Sequence, residues 1–206
     1  MSTGGAVSPT KIEQRQATVH ALLTEGRRQF ARDGYAAVSL AGIVDALGLT
    51  KGALYHHFPG KAALFRAVVE QVQEQVAARV VAAAEAAPGS WRQLTAGCEA
   101  FLRASADPEV QRIMLIDGPA VLGWDVWRAL DDASSGRHLR EALQAVIDDG
   151  VIAPQPVEPL MHLLSGAMNE AALWLARSDD PRDLDDTVAA LHSLLDALRS
   201  PANGAT

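Results

Sequence analysis

The stretch at residues 39–61, SLAGIVDALGLTKGALYHHFPGK, decides how this chain folds. Apolar residues recur at helical spacing on both sides of Gly48, which predicts two short amphipathic helices with a shared apolar face. Gly48 stands where the first helix must end and the chain must turn, a position that favours a residue able to adopt a positive φ. Two short helices joined in this way are predicted to pack as a helix-turn-helix unit.

Hydroxyl side chains precede both of these helices. Ser39 and Thr50 are each predicted to cap a helix by accepting a hydrogen bond from a backbone N–H two or three residues further on. The free N–H groups at a helix start attract an anion, and Lys51 adds a positive charge beside the second cap. The unit is therefore predicted to hold phosphate groups of DNA.

The net charge of −7 is distributed unevenly along the chain. Residues 11–66 hold eight lysines and arginines against four aspartates and glutamates, which gives +4 and leaves −11 for the remainder. A basic segment on an acidic partner is typical of a DNA-binding module joined to a part that does not contact DNA.

The composition limits the other possibilities. With 206 residues, of which 49% are hydrophobic and 21% charged, the chain can form one large or two small globular domains. Its single cysteine, Cys98, excludes an internal disulfide and a cysteine-based zinc site, which fits a reducing compartment. The N-terminal segment lacks the apolar core of a signal peptide, and no apolar run reaches 18 residues, so we expect a cytoplasmic protein with no membrane partner.

Prolines and glycines divide the chain into about nine segments with helical spacing of apolar residues. The sequence therefore predicts an all-α protein with about nine helices. We expect a disordered arm at 1–12, a three-helix DNA-binding domain at 13–60, a helical ligand-binding and dimerisation domain at 61–199, and a tail at 200–206. Breaks are expected at Gly118, Pro119 and Gly123 and at residues 134–136. Lys11, at the end of the arm, and Arg15, just after it, either reach a neighbouring groove or phosphate of DNA or remain solvated.

A long helix is predicted to begin near Lys61 and to end near Ala87. Its first turn contributes to the core of the DNA-binding domain, and its later valines keep a helical spacing, so one helix joins the two domains. Tilting this helix is expected to change the separation of two DNA-binding domains in a dimer.

Two apolar stripes near the C terminus predict a dimer interface. One recognition helix reads about half of a site, whereas a two-fold dimer places two of them roughly 34–36 Å apart and reads a palindromic operator. Packing within the chain is the competing interpretation, and it applies to each stripe in part. The residues predicted to form the interface are Leu160, Leu164, Ala167, Ala171, Leu175, Leu184, Val188, Leu191 and Leu195.

The middle helices hold large apolar residues that can line a ligand cavity. Such cavities are mostly apolar with a few polar groups, and three of the four tryptophans fall between residues 124 and 174. For each of these residues, core packing is the alternative. The residues predicted to bind ligand are Phe101, Met114, Trp124, Trp127, His138, Met168, Asn169 and Trp174.

Four aspartates lie among the same helices, at residues 117, 125, 131 and 132. A solvated acidic face is the simpler interpretation of these residues, and contact with a cationic ligand is the alternative.

Residues 16–70 resemble the TetR family of transcriptional regulators. The resemblance rests on the end of the first helix, FARDGY, and on LTKGALYHHFPGKAAL. Over residues 88–206 it is only architectural, with five or so helices of divergent sequence. It implies a bacterial, homodimeric DNA-binding repressor.

The resemblance also implies roles for single residues. Ser39 and Lys61 would contact phosphates at the starts of the second and fourth helices. Lys51 would donate to guanine, and the methyl group of Ala53 would meet a thymine methyl. The residues expected to face the major groove are Thr50, Lys51, Gly52 and Ala53.

Tyr55, His56 and His57 match a Tyr-(aromatic or His)-His run that contacts DNA phosphates in the family. A partly structural role is the alternative for Tyr55 and His57. The two histidines do not suit a metal ion, because adjacent helical residues diverge by about 100°. Ala41 and Gly42 offer no long polar side chain, so specificity is expected to rest on the third helix.

The sequence thus predicts a repressor that is released from its operator when a small, largely apolar ligand binds the C-terminal domain. The alternatives are a regulator that activates or answers to a protein partner, with no metabolite ligand, and an enzyme using the helical domain. No catalytic triad, metal-ligand set or glycine-rich phosphate loop supports the enzyme, so we expect neither a cofactor nor a metal. The protein would lie in the cytoplasm and at the nucleoid when bound.

Overall fold

The computed structural model describes residues 10–200, and nearly all of this part of the chain is helical. Its nine helices are α1 (Lys11–Ala37), α2 (Leu40–Leu47), α3 (Lys51–His57), α4 (Lys61–Glu85), α5 (Ser90–Ser105), α6 (108–122), α7 (124–148), α8 (Val157–Leu175) and α9 (Asp183–Asp196). Apart from one isolated bridge between Ile152 and Arg199, the described residues contain no β-structure. The predicted all-α fold is confirmed. None of the helices in this range is long and apolar enough to cross a membrane.

The chain forms two compact units, which are divided between Val68 and Val69, inside α4. We call residues 10–68 the head and residues 69–200 the body. The division falls eight residues beyond the boundary expected after residue 60. The reason is that Leu64 and Phe65, in the first two turns of α4, are completely buried in the head.

Aromatic rings form the centre of the head. Phe65 packs edge-on against Phe30 of α1, with 5.0 Å between ring centroids, and its ring centroid lies 4.9 Å from that of Tyr35. Gly34, with φ 75°, interrupts α1 where the helix was predicted to end. This interruption lets the chain bring Tyr35 back against the same cluster.

The N-terminal end of α1 differs from the prediction. Thr10 and Glu13 form a capping box, so Lys11 and Ile12 are helical rather than part of a disordered arm. Residues 1–9 of the predicted arm and 201–206 of the predicted tail lie outside the described residues.

The chain breaks at Gly123, with φ 80°, as predicted, but it stays helical at residues 118–119 and 134–136. Residues 111–117 of α6 and 132–136 of α7 have π-helical hydrogen bonding, and each helix continues beyond them. The carbonyl of Met114, in the first of these segments, accepts a 2.7 Å hydrogen bond from Nε1 of Trp127. A side chain at Gly118 would lie 3.0 Å from the Trp127 ring, so glycine permits this close approach of α6 and α7.

Candidate nucleic-acid interface and effector cavity

The head forms the helix-turn-helix unit with the predicted caps. Ser39 Oγ accepts a 3.1 Å hydrogen bond from the N–H of Gly42, and Thr50 Oγ1 accepts one of 3.2 Å from the N–H of Ala53. Gly48 takes the left-handed conformation, with φ 63°. The chain therefore turns between α2 and α3 as the sequence predicts, and both helix starts are in place.

Helix α3 presents one face to solvent. Leu54 is buried in the head, whereas Lys51, Gly52, Tyr55 and His56 are exposed. These four positions share the opposite side of the helix, and 53% of Tyr55 is accessible. Within residues 10–200, Lys51 forms no hydrogen bond or ion pair, so its ammonium group is available to an external anion.

The two histidines at the end of α3 contact each other, with 5.1 Å between ring centroids. Partial burial, together with the charges of His56 and Arg15, lowers the pKa of His57 below its usual value. Near neutral pH, His57 is thus a neutral hydrogen-bonding group. No set of three or more His, Cys, Asp or Glu side chains able to hold a metal ion occurs in the described part of the chain.

Lys61 has a structural partner that the sequence did not indicate. Its Nζ donates 2.7 Å hydrogen bonds to the carbonyls of Tyr35 and Val38, and it lies 4.3 Å from the centroid of the Tyr35 ring. A third carbonyl, that of Ala36, lies 3.4 Å away. The ammonium group therefore caps the C-terminal end of α1. A phosphate at the start of α4 would be bound by the backbone N–H groups there.

Gln29 is a second residue that sequence reasoning missed. Its Nε2 donates to Glu25 Oε1 at 2.7 Å and to the carbonyl of Gly42 at 3.3 Å, which fastens α2 to α1. Hydrogen bonds from Arg28, the larger cause, and from Gln29 lower the pKa of Glu25 to about 2. A polar residue on the apolar face of α1, beside the buried Gly26 and Phe30, was the available signal.

The body contains a partly open cavity of about 270 Å³. Three of the residues predicted to bind ligand, Phe101, His138 and Met168, line it. Cys98 also lines it, and burial raises the pKa of its thiol to about 12, so the thiol stays neutral. The cavity residues that the prediction did not include are Val80, Val81, Ala84, Glu85, Gln93, Leu94, Gly97, Asp131, Ser135, Gly136, Leu139, Glu141, Ala142, Ala145 and Ser165.

The other predicted ligand residues lie elsewhere in the body. Trp124, Trp127 and Asn169 line a separate cleft of about 390 Å³. Met114 is buried, and Trp174 is half exposed on α8. The sequence shows which residues share a helix face, but a long helix such as α7 contributes its first half to one site and its second half to another.

A charged cluster lies between the cavity and the cleft. Arg128 donates from Nη1 to Asp131 Oδ2 and to Ser165 Oγ, both at 2.8 Å, and its Nη2 lies 3.0 Å from Asp132 Oδ1. Asp131 and Ser165 line the cavity, whereas Arg128 lines the cleft. Burial raises the pKa of Asp131, although the charge of Arg128 opposes this. With 3% of its surface accessible, Asp131 does not belong to a solvated acidic face.

The predicted interface residues on the C-terminal helices differ in how far they are buried. Leu160, Leu164, Leu175, Val188, Leu191 and Leu195 are buried within the chain, Ala171 and Leu184 are half-buried, and Ala167 is exposed. The large apolar side chains that remain accessible on α8 and α9 are Leu163, Trp174 and Leu194. These accessible residues lie along the edge of the predicted stripe, since Ala167 follows Leu163 by one helical turn and is itself exposed.

A head with a helix-turn-helix unit, joined by a continuous helix to an all-helical body, defines a DNA-binding transcriptional regulator. Two family models match the chain: the tetR family of bacterial regulatory proteins over residues 22–68, and the tetracyclin repressor-like C-terminal domain over residues 91–198. The chain belongs to the TetR family, which is a family of transcriptional regulators and not of enzymes.

Individual relatives agree with this assignment. An HTH-type transcriptional repressor of Mycobacterium tuberculosis is 31% identical over 165 residues, which cover 79% of this chain and 84% of the relative. The crystal structure of a TetR-family transcriptional regulator from Pectobacterium atrosepticum is 35% identical, with a TM-score of 0.75 over 94% of this chain and 99% of that one. RolR in complex with resorcinol shares the fold, with a TM-score of 0.69, 18% identity, and coverage of 91% of this chain and 90% of RolR.

Proposed function

We propose that this protein represses transcription as a homodimer and leaves its operator when a small, largely apolar molecule binds in the body cavity. One observation carries the proposal. The last turns of α4, at Val80, Val81 and Ala84, line the cavity, and the same helix begins in the head. A ligand in the cavity thus contacts the one helix that both units share.

In this proposal, α3 enters the major groove with its exposed face. Lys51 donates to a guanine, because its ammonium group is accessible and uncommitted among the described residues. The proposed groove-facing residues are Thr50, Lys51, Gly52 and Ala53. The proposed phosphate contacts are Ser39, Tyr55, His56, His57 and the backbone N–H of Lys61.

The proposed dimer forms through the outer faces of α8 and α9. Leu163 on α8 is 72% accessible, and Trp174 on the same face is 50% accessible. Leu194 on α9 adds a third exposed apolar side chain, at 49%. Two such helix pairs form a four-helix bundle across a two-fold axis, and a palindromic operator follows from that symmetry.

Release follows from a difference in affinity between two conformations of the body. A ligand shifts the equilibrium only if it binds one conformation better than the other. Helix α4 lines the cavity and begins in the head. In the conformation that the ligand favours, the two α3 helices of the dimer therefore have a different separation. RolR, which has this fold, was crystallised with resorcinol, so the fold can hold a small molecule.

The remaining features of the proposal follow from DNA binding. The protein acts in the cytoplasm, where bacterial DNA lies, and carries out no catalysis. The alternative, a regulator that activates or answers to a protein partner and has no metabolite ligand, would leave the body cavity without a role.

The test is fluorescence anisotropy with the full chain and the DNA upstream of its own gene. We expect saturable binding that weakens steeply with salt, since phosphate contacts release counterions. Competition with unrelated DNA of the same length is the control. Failure to bind at low salt, or equal affinity for both DNAs, contradicts the proposal.

A further inference from the structure

We infer that the effector is a small organic cation, an apolar molecule with one protonated amine, which sits in the body cavity with its ammonium group beside Asp131. This inference rests on the proposed function of that cavity as the effector site.

The charges around the cavity favour a cation. Among the described residues that line it, the carboxylates are Glu85, Asp131 and Glu141, and neither a lysine nor an arginine is present. An entering carboxylate would meet like charges and no fixed positive partner. An ammonium group would meet opposite charges, and its interaction would be strongest at Asp131, because Asp131 is buried whereas Glu85 and Glu141 are exposed to water.

Asp131 is the member of this set that can orient a ligand. It is buried, and its one cationic partner, Arg128, is shared with Asp132 at 3.0 Å. Two carboxylates and one guanidinium give this cluster a net negative charge beside the cavity. The pKa of Asp131 is raised by burial, which agrees with a carboxylate whose charge is incompletely compensated. Asp131 already accepts hydrogen bonds from Arg128 and Ser165, so what a ligand ammonium adds is the second positive charge that the cluster lacks.

The rest of the cavity sets the size and polarity of the molecule. Leu94, Phe101, Leu139 and Met168 supply apolar walls, and the Cys98 thiol is neutral. A volume of 270 Å³ corresponds to roughly nine water molecules at about 30 Å³ each. A skeleton of about ten non-hydrogen atoms fits, for example one aromatic ring with a short alkyl chain.

Matched compounds test the inference on the full-length protein without DNA. Isothermal titration calorimetry compares 3-phenylpropylamine, 3-phenylpropan-1-ol and 3-phenylpropanoate, which differ only in the terminal group. We expect the amine to bind about 10- to 100-fold more tightly than the alcohol, as for a hydrogen bond to a charged group, and the carboxylate to bind weakest. Equal binding of amine and alcohol, tighter binding of the carboxylate, or no binding of the amine at millimolar concentration overturns the inference.

A pair of variants locates the ammonium group. Asp131→Asn and Asp132→Asn each remove a carboxylate that contacts Arg128, but only Asp131 lines the cavity. We expect Asp131→Asn to lower the affinity for the amine at least tenfold and to leave that for the alcohol within about threefold. Asp132→Asn serves as the control, with a smaller loss. Equal losses in the two variants contradict the placement at Asp131, and the compound series on the unaltered protein decides the case if a variant does not fold.

The two proposals fail in different experiments. Suppose that the amine binds in an Asp131-dependent manner but leaves the DNA affinity measured by anisotropy unchanged. The proposal of a cationic ligand is then supported, and the proposal that ligand binding in the cavity releases DNA is wrong. If a carboxylate or neutral molecule fills the cavity and releases DNA, release stands and the cationic effector is wrong.

Discussion

The head and the body differ in how their polar groups are used. In the head, the polar side chains of α3 face outward, and those of Gln29 and Lys61 fasten one helix to the next. In the body, the Arg128–Asp131 pair is directed inward, toward a cavity and a cleft. A surface that binds DNA needs side chains held in fixed positions. A site that responds to a small molecule needs buried polar groups that can exchange one partner for another.

The largest expected effect lies in the head. Lys51→Ala should weaken DNA binding about 100-fold, because a base contact contributes about 1–3 kcal/mol and a dimer contains it twice. Thermal unfolding should not change, since Lys51 is exposed and forms no bond within the described residues. Anisotropy titration measures the loss, and Arg92→Ala on the exposed surface of the body is the control. A loss of DNA affinity below threefold would mean that Lys51 does not contact the bases.

The next effect tests close packing in the body. Gly118→Ala should destabilise the body by about 1–2 kcal/mol, because the new Cβ would lie 3.0 Å from both the Ile113 carbonyl oxygen and the Trp127 ring. Urea unfolding followed by tryptophan emission measures this, since all four tryptophans lie in the body. The exposed Ala120→Ser is the control, with an expected change below about 0.5 kcal/mol. An unchanged midpoint would show that α6 and α7 can separate at no cost.

The link between the two regions is α4. Replacing the exposed Glu74 and Ala78 by glycine should raise the free energy of the helix there by about 1–2 kcal/mol. We expect ligand binding and DNA binding to persist separately, while the ligand-induced fall in DNA affinity, typically about 5- to 150-fold for coupled sites, decreases markedly. Glu74→Ala, which keeps helix propensity, is the control. A full response in the double-glycine variant would exclude α4 as the connection.

The smallest effect concerns the attachment of α2. Glu25→Gln should destabilise the head by about 1 kcal/mol at pH 7. The pKa of Glu25 is lowered to about 2 in the folded protein, so its contribution is present above its unfolded value near 4.5 and is lost as pH falls toward 2. The difference from the unaltered protein should therefore shrink over this range.

Hydrogen exchange of head peptides at pH 7 and at pH 3 measures this difference. Asp33→Asn is the matched control, because Asp33 pairs with the neighbouring Arg32 and does not fasten α2. A difference that stays constant with pH would mean that the charge of Glu25 is not what stabilises α2.

Local chemistry explains which features could be predicted. The caps at Ser39 and Thr50 and the turn at Gly48 involve partners at most four residues away in the sequence, so they could be predicted from the sequence. The Lys61 ammonium bonds to carbonyls 23 to 26 residues away, and such a contact has no local pattern. The cavity depends on which residues from four helices meet, and the buried Asp131 accepts a hydrogen bond from Ser165, 34 residues away on another helix.

The position of Lys61 limits which residue can stand there. Its ammonium group is a compact charge whose three N–H donors meet three converging carbonyls at the end of α1. Arginine conserves the charge but presents a flat guanidinium with donors in one plane, which cannot bond to oxygens arranged around a point. A substitution usually regarded as conservative would therefore open the junction that leads into α2, even though no residue of α2 or α3 had been altered.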